Sequence, residues 1–136
     1  MNFLLDTNVI SEPRRQRRDP RVVAWFESVD LEDLHISVLT LGELIKGEAR
    51  LAQRDAVQAT ALRQWLDATR FNYADRIIPV DREIAEAWGQ LDAKRPLPVI
   101  DGLLAATALV HDMTFATRDT RDIAGTGVRT INPWTT

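Results

Sequence analysis

The sequence predicts a three-layer α/β/α sandwich built on a central parallel sheet. Short apolar runs alternate with segments of helical period from one end of the chain to the other. The interval between successive runs is long enough for a crossover helix, and strands joined through helices pair in parallel. With 136 residues and 45% hydrophobic content, the chain suffices for one core and is short for two, so residues 1–136 are expected to form a single domain.

Phe3 to Leu5 reads as the first strand, ending on Asp6. A helix follows Asp19-Pro20, with the aspartate as N-cap and the proline at the first helical position. Its expected apolar face is Val22, Val23, Phe26 and Val29. "LHISVL" is the second strand. Thr40 then opens a helix through about Ala52, in which Thr40-Leu41-Gly42-Glu43 matches a capping box. The next helix carries the stripe Val57, Ala61, Leu62 and Trp65. "RIIPV" is the third strand, and Asp81 caps a helix with the stripe Ile84, Ala85, Trp88 and Leu91, broken by Pro96 and Pro98. "VIDGLLAATALVHD" is a further helix, "MTFAT" the fourth strand and "GVRTI" a short fifth. No internal repeat, low-complexity tract or linker divides the chain.

Composition excludes several classes. The chain has no cysteine, so a metal would be held by oxygen or by its two histidines, and a zinc finger is ruled out. It lacks an apolar run of about 18 residues and a leader-like N-terminus, so a cytoplasmic protein without membrane contact is expected. The net charge of −3 argues against a broadly basic surface. Within that sum, "RRQRRDPR" concentrates Arg14, Arg15, Arg17, Arg18 and Arg21 close to Asp6. That run reads equally well as a solvated loop and as a patch for phosphates or a protein partner.

In an open parallel sheet, ligands bind beyond the carboxyl ends of the strands. Asp6 lies at such an end, and Glu43 follows the second strand. Asp119 lies just past the fourth, and Asp101 opens the helix that runs back into it. Topology therefore brings four acids to one rim. Each also has a bland reading. Asp6 could cap the following turn, Glu43 could complete its capping box, and Asp119 could serve a local turn with Thr117, Thr120 and Asp122. Asp101 resists such a reading, because its helix is apolar or small on nearly every side and burial is expected. A helix dipole contributes about 0.3–1 kcal/mol, short of the several kcal/mol of desolvation. The neighbouring cations are Lys94 and Arg95, across a proline break. A divalent ion such as Mg²⁺ or Mn²⁺ resolves both the burial and the mutual repulsion, and it suits phosphoryl chemistry.

The segments "LLDTNVISE", "SVLTLGELIKG", "IDGLLAATAL", "FATRDTRDI" and "INPW" together resemble the PIN-domain ribonucleases, in particular the toxin subunits of VapBC-type and FitAB-type toxin–antitoxin pairs. The likeness spans nearly the whole chain in order. It implies strand order 3-2-1-4-5 and a Mg²⁺- or Mn²⁺-dependent endoribonuclease using Asp6, Glu43, Asp101 and Asp119, with Asp6, Asp101 and Asp119 on the metal. Thr7, Asn8 and Thr117 match supporting polar positions, and either Asp119 or Asp122 serves as the fourth acid. The resemblance further implies a homodimer and a cognate antitoxin that lays its tail across the cleft, with operator DNA met only through that antitoxin. Trp25, Phe26 and Leu41 to Ile45 are the groove candidates.

Other classes fit less well. A haloacid-dehalogenase-type phosphatase needs a second aspartate where Asn8 stands. A receiver-like domain needs its aspartate after the third strand and a lysine after a late one. The remaining alternative is a PIN fold that acts only as antitoxin partner and co-repressor.

Overall fold

The computed structural model describes residues 1–136. Its strands are β1 (Phe3–Leu5), β2 (Leu34–Ser37), β3 (Ile77–Ile78), β4 (Thr114–Ala116) and β5 (Thr130–Ile131). All pair in parallel in the order β3-β2-β1-β4-β5, the order that the family resemblance implies. The helices are α1 (Thr7–Ser11), α2 (Pro20–Ser28), α3 (Val38–Ala52), α4 (Ala56–Asn72), α5 (Arg82–Lys94) and α6 (Val99–Val110). No helix is long and apolar enough to cross a membrane.

β1 is central because it is apolar on both faces, as a strand covered on both sides must be. Phe3 and Leu5 point into one core, together with Val9, Val22, Trp25, Leu44, Leu62 and Leu66 of α1 to α4. Leu4 points into the other, with Ile84 of α5 and Leu104, Ala105 and Ala108 of α6. Leu4 and Leu5 are fully buried, each stabilising the fold by roughly 1.5–3 kcal/mol. The small residues of α6 let it sink between the sheet and α5. Gly102 makes the closest approach, since a Cβ there would lie 2.9 Å from Nε1 of Trp88.

Two helix starts follow the sequence reading. Asp19 accepts from the Arg21 amide at 2.8 Å, with Pro20 in the first turn. Asp81 accepts from the Ile84 amide at 3.0 Å. The start of α3 corrects it. Ser37, the last residue of β2, caps the helix by accepting from the Leu39 amide at 3.0 Å. The strand thus passes into α3 without a loop. Thr40 lies inside the helix, fully buried, with no hydrogen-bond partner for its hydroxyl, and the expected Thr40–Glu43 capping box does not form.

The stripe of α4 is also rotated from the expected one. Val57 is 83% exposed and Ala61 is exposed, while Ala59, Leu62, Leu66 and Thr69 are buried. The first turn of α4 buries Ala59 on its inner face, so Val57 on the other face stays in solvent. On α2 the buried residues are Val22 and Trp25, and Val29 lies beyond the helix as its C-cap.

These caps separate cleanly in a mutational test. Ser37→Ala is expected to lower the unfolding free energy by about 1 kcal/mol through loss of the cap. Thr40→Val, which removes a buried unpaired hydroxyl, is expected to be neutral or stabilising. Urea denaturation of both variants checks this, and a larger loss in Thr40→Val would return the cap to Thr40.

Candidate active site

Asp6 ends the central strand in extended conformation and caps α1. Its Oδ1 accepts from the Thr7 amide at 2.8 Å, and its Oδ2 accepts from the Thr117 hydroxyl at 2.7 Å. Thr117, 1% exposed just past β4, in turn accepts from the Asp119 amide at 3.1 Å. On the other side, the Thr7 hydroxyl donates to Oε1 of Glu43 at 2.9 Å. One chain of contacts therefore runs from Asp119 through Thr117, Asp6 and Thr7 to Glu43, crossing the carboxyl ends of β4, β1 and β2. The capping reading of Asp6 is correct and does not exhaust it, because the second oxygen is committed to a residue 111 positions away.

Glu43 sits in the second turn of α3 rather than the first, aimed by Thr7 instead of by a cap. Asp101 lies in the first turn of α6. It is half-buried, more open than expected, because Val99 and Ile100 before it are exposed. Asp119 precedes the short 3-10 turn Thr120–Ile123 and Asp122 lies within it, both exposed.

The electrostatics bind these groups into one cluster. Burial pushes the Asp6 carboxyl above its usual range, the hydrogen bonds from Thr117 and Thr7 pull it back, and the charges of Glu43 and Asp101 push it up again. Burial likewise raises Asp101, followed by the charges of Asp122, Glu43 and Asp119. Asp122 thus acts on Asp101 more strongly than Asp119 does. None of these five acids forms an ion pair with a lysine or arginine. Arg95, the cation nearest to Asp101 in sequence, donates instead to the Ala124 and Pro96 carbonyls.

The donors suit a hard divalent cation, being carboxylate oxygens without cationic partners. The buried Oδ1 of Asn8 also lacks a partner, an acceptor beside Asp6 that a bound water would satisfy. No three acidic or histidine side chains stand close enough to form a ready-made metal site. Closing one would require rotation of Asp101, Asp119 or Asp122, whose carboxylates make no hydrogen bond in the fold.

Three features escaped sequence reasoning. Glu12 is a carboxylate only 3% exposed, accepting from the Asp19 amide at 2.8 Å and from Arg15 at 3.0 Å. Burial would raise it, but those two hydrogen bonds and the Arg15 charge hold it below its usual range. The signal was faint, a glutamate before Pro13 amid charged neighbours. The second is Lys46, one turn beyond Glu43 and lining a hollow with Glu43, Val38 and Ile100; its spacing from Glu43 was the available clue. The third is the placement of Trp25, a groove candidate, which is core: 5% exposed and edge-on to Phe3 at 5.2 Å. Leu44 is buried as well, leaving Phe26, Leu41 and Ile45 partly or wholly accessible.

A parallel sheet whose central strand ends on a fixed carboxylate, with further acids supplied by both neighbouring strands, defines an acid-rimmed α/β protein with a site at its switch point. Residues 3–126 match the PIN domain, and the chain belongs to the PIN-domain family. It is 39% identical over 138 residues to Toxin FitB of Neisseria gonorrhoeae, spanning 97% of this chain and 98% of that one. With VapC ribonuclease Y4jK of Sinorhizobium fredii it shares 36% identity over 140 residues, 97% of each chain. Among solved structures, FitAcB from Neisseria gonorrhoeae superposes with a TM-score of 0.92 at 38% identity, covering 98% of this chain and 99% of that one.

The raised carboxyls fix the sign of a pH effect. Asp6 and Asp101 titrate in the folded protein above the ordinary 3.8. Between that value and the raised one, the folded state binds more protons than the unfolded chain, so their contribution to stability falls as pH rises. In EDTA-treated buffer, Asp101→Asn is expected to melt at a higher temperature than the wild type at pH 7, with the gap closing as pH approaches 3.8. Thermal melts across this range check it, and an unchanged or lower melting temperature at pH 7 would contradict the repulsion.

Proposed function

We propose that the chain is the toxin of a type II toxin–antitoxin pair, a single-domain Mg²⁺- or Mn²⁺-dependent endoribonuclease that a cognate antitoxin inhibits. The observation that carries this reading is the convergence of Asp6, Glu43 and Asp101 on one rim, none of them ion-paired, with Asp6 tied to Glu43 through Thr7. The names of its relatives, a toxin and a ribonuclease, support it.

Asp6, Asp101 and either Asp119 or Asp122 would hold the ion. It supplies charge stabilisation for the phosphoryl oxygens and increases the nucleophilicity of water. The chain's own residues supply position. Thr117 and the Thr7 amide each occupy one oxygen of Asp6, leaving the remaining lone pairs aimed outward from the strand end. Thr7 holds Oε1 of Glu43 and leaves Oε2 free to take a proton from an attacking water. Asn8 offers its unpaired oxygen to order that water.

An antitoxin segment has a natural seat in the apolar groove between α2 and α4, lined by Phe26, Leu31, Trp65 and Tyr73. An arginine on its tail would be drawn into the acidic cleft by charge-assisted pairing. The exposed Val38, Ile45, Val99 and Ile100 offer a surface for homodimerisation. Operator DNA is assigned to the antitoxin, in keeping with a chain of pI near 5.4, and the cytoplasm is where such a complex would act.

The absence of a ready-made metal trio favours the second reading, a non-catalytic partner and co-repressor. One experiment separates them. Mn²⁺ binding by calorimetry and RNA cleavage are measured on antitoxin-free wild type, Asp6→Asn and Asp101→Asn. The nuclease reading expects cleavage to fall on the order of 10²-fold or more in both variants, with weakened Mn²⁺ binding and retained fold. Wild-type protein that binds no Mn²⁺ and cleaves no RNA would favour the co-repressor.

A further inference from the structure

The loop between α1 and α2 presents arginines in an unusual setting. Arg14, Arg15, Gln16 and Arg17 line an open hollow of about 600 Å³, completed by Gln58 and Ala61 of α4. Every side chain around it except Ala61 is a hydrogen-bond donor, and no carboxylate lines it. Arg14 and Arg17 take part in no ion pair. In a chain with 20 acids against 17 basic residues, such a hollow stands out from the ordinary surface.

The loop is also built to hold this shape. Buried Glu12 clasps it at both ends, through Arg15 and the Asp19 amide. The guanidinium of Arg14 lies over the Trp65 ring, 5.5 Å from its centroid, which limits its wandering at modest cost. Arg18 donates to the Pro13 carbonyl at 3.3 Å, closing the loop on itself.

The hollow is linked to the acidic rim along the chain. Arg14 follows Asp6 by one five-residue helix and one 3-10 turn, a path of roughly 14 Å. Asp19, at the loop's far end, lies in the field of Arg118, the residue preceding Asp119. The loop therefore runs alongside the rim with its cations outward.

We infer that the Arg14–Arg17 hollow is a phosphate-binding subsite for the RNA strand flanking the scissile bond. Planar guanidinium forks match phosphate oxygens, and a hollow lined by three arginines and two glutamines, with Ala61 its one apolar residue, suits a polyanion better than a protein, whose interface cores are apolar and aromatic. The apolar groove on α2 and α4 adjoins it at Trp65, over which Arg14 lies, but is lined by a different set of residues. A patch of this kind lets a net-acidic nuclease hold a polyanion beside its own carboxylates. The inference rests on the RNA-cleaving reading and adds to it the place where affinity resides.

The test is fluorescence anisotropy of a labelled single-stranded RNA of mixed sequence, in EDTA, across a salt series. The full-length wild type is compared with Arg14→Gln/Arg17→Gln and Arg14→Lys/Arg17→Lys, each checked by circular dichroism. Loss of two phosphate contacts is expected to weaken binding about tenfold and to reduce the slope of log K against log salt by about 1.4, with the lysine pair restoring most of the slope. In cleavage assays with Mn²⁺ the glutamine pair should raise KM and leave kcat in place. An unchanged salt slope in the glutamine pair, with wild type still binding, overturns the subsite alone. Lost binding of polyglutamate with RNA binding intact overturns it in favour of an acidic protein segment. A wild type with no salt-dependent RNA affinity removes the nuclease reading itself.

Discussion

The carboxylate of Asp6 is held from both sides, by the Thr117 hydroxyl and the Thr7 amide, at the end of the strand that pairs with both β2 and β4. Much of the molecule serves that placement. β1 must be apolar on both faces to sit at the centre, so its first polar residue is the one that leaves the sheet. The parallel topology then brings the ends of β2 and β4 alongside, and the hydroxyls of Thr7 and Thr117 join the three ends without adding a charge. Thr117 donates its hydroxyl to Asp6 and accepts from the Asp119 amide, while Thr7 donates its amide to Asp6 and its hydroxyl to Glu43. A lysine there would neutralise the cluster, and an alanine would leave Asp6 unoriented.

The two layers of helices contribute differently. On the side of α5 and α6, small residues allow close packing, and the contact of Gly102 with Trp88 sets the depth of α6 beside Asp101. On the other side, larger side chains around Trp25 support the loop that carries the arginines. The acidic rim thus rests on rigid helix starts, while the basic hollow rests on a loop clasped by one buried glutamate. Opposite charges can be kept near each other without collapsing into salt bridges because separate elements hold them.

Alternation of strands and helices and the rim location of Asp6, Glu43 and Asp101 were legible in the sequence, because parallel topology forces them, while the central place of the first strand came from the strand order that the family resemblance implied. Cap identity was not. Thr40-Leu41-Gly42-Glu43 carries the letters of a capping box, yet Ser37 precedes it and caps first, since β2 ends where α3 begins. The rotation of α4 was likewise hidden, because Val57 looks like a core residue until its turn proves to bury Ala59 instead. Burial of Asp101 was overestimated for a related reason. Apolar letters around a helix start do not say which of them meet another layer: Val99 stays exposed, and Ile100 reaches only the edge of the hollow beside Val38 and Glu43.

Glu12 and Asp101 show how burial and function come apart. Glu12 is nearly inaccessible, yet its carboxyl is held low because an amide and a guanidinium face it. Asp101 is half-open, yet its carboxyl is held high, first by the burial it has and then by the charges of Asp122, Glu43 and Asp119. Burial alone would have ranked Glu12 as the reactive group. The partner decides instead: an acid whose neighbours satisfy it is a structural clasp, and an acid whose neighbours repel it stores free energy that a cation can release on binding. By that criterion Asp122 belongs with the rim as much as Asp119 does. The acids of this chain thereby divide into one that shapes the loop and a set poised at the strand ends.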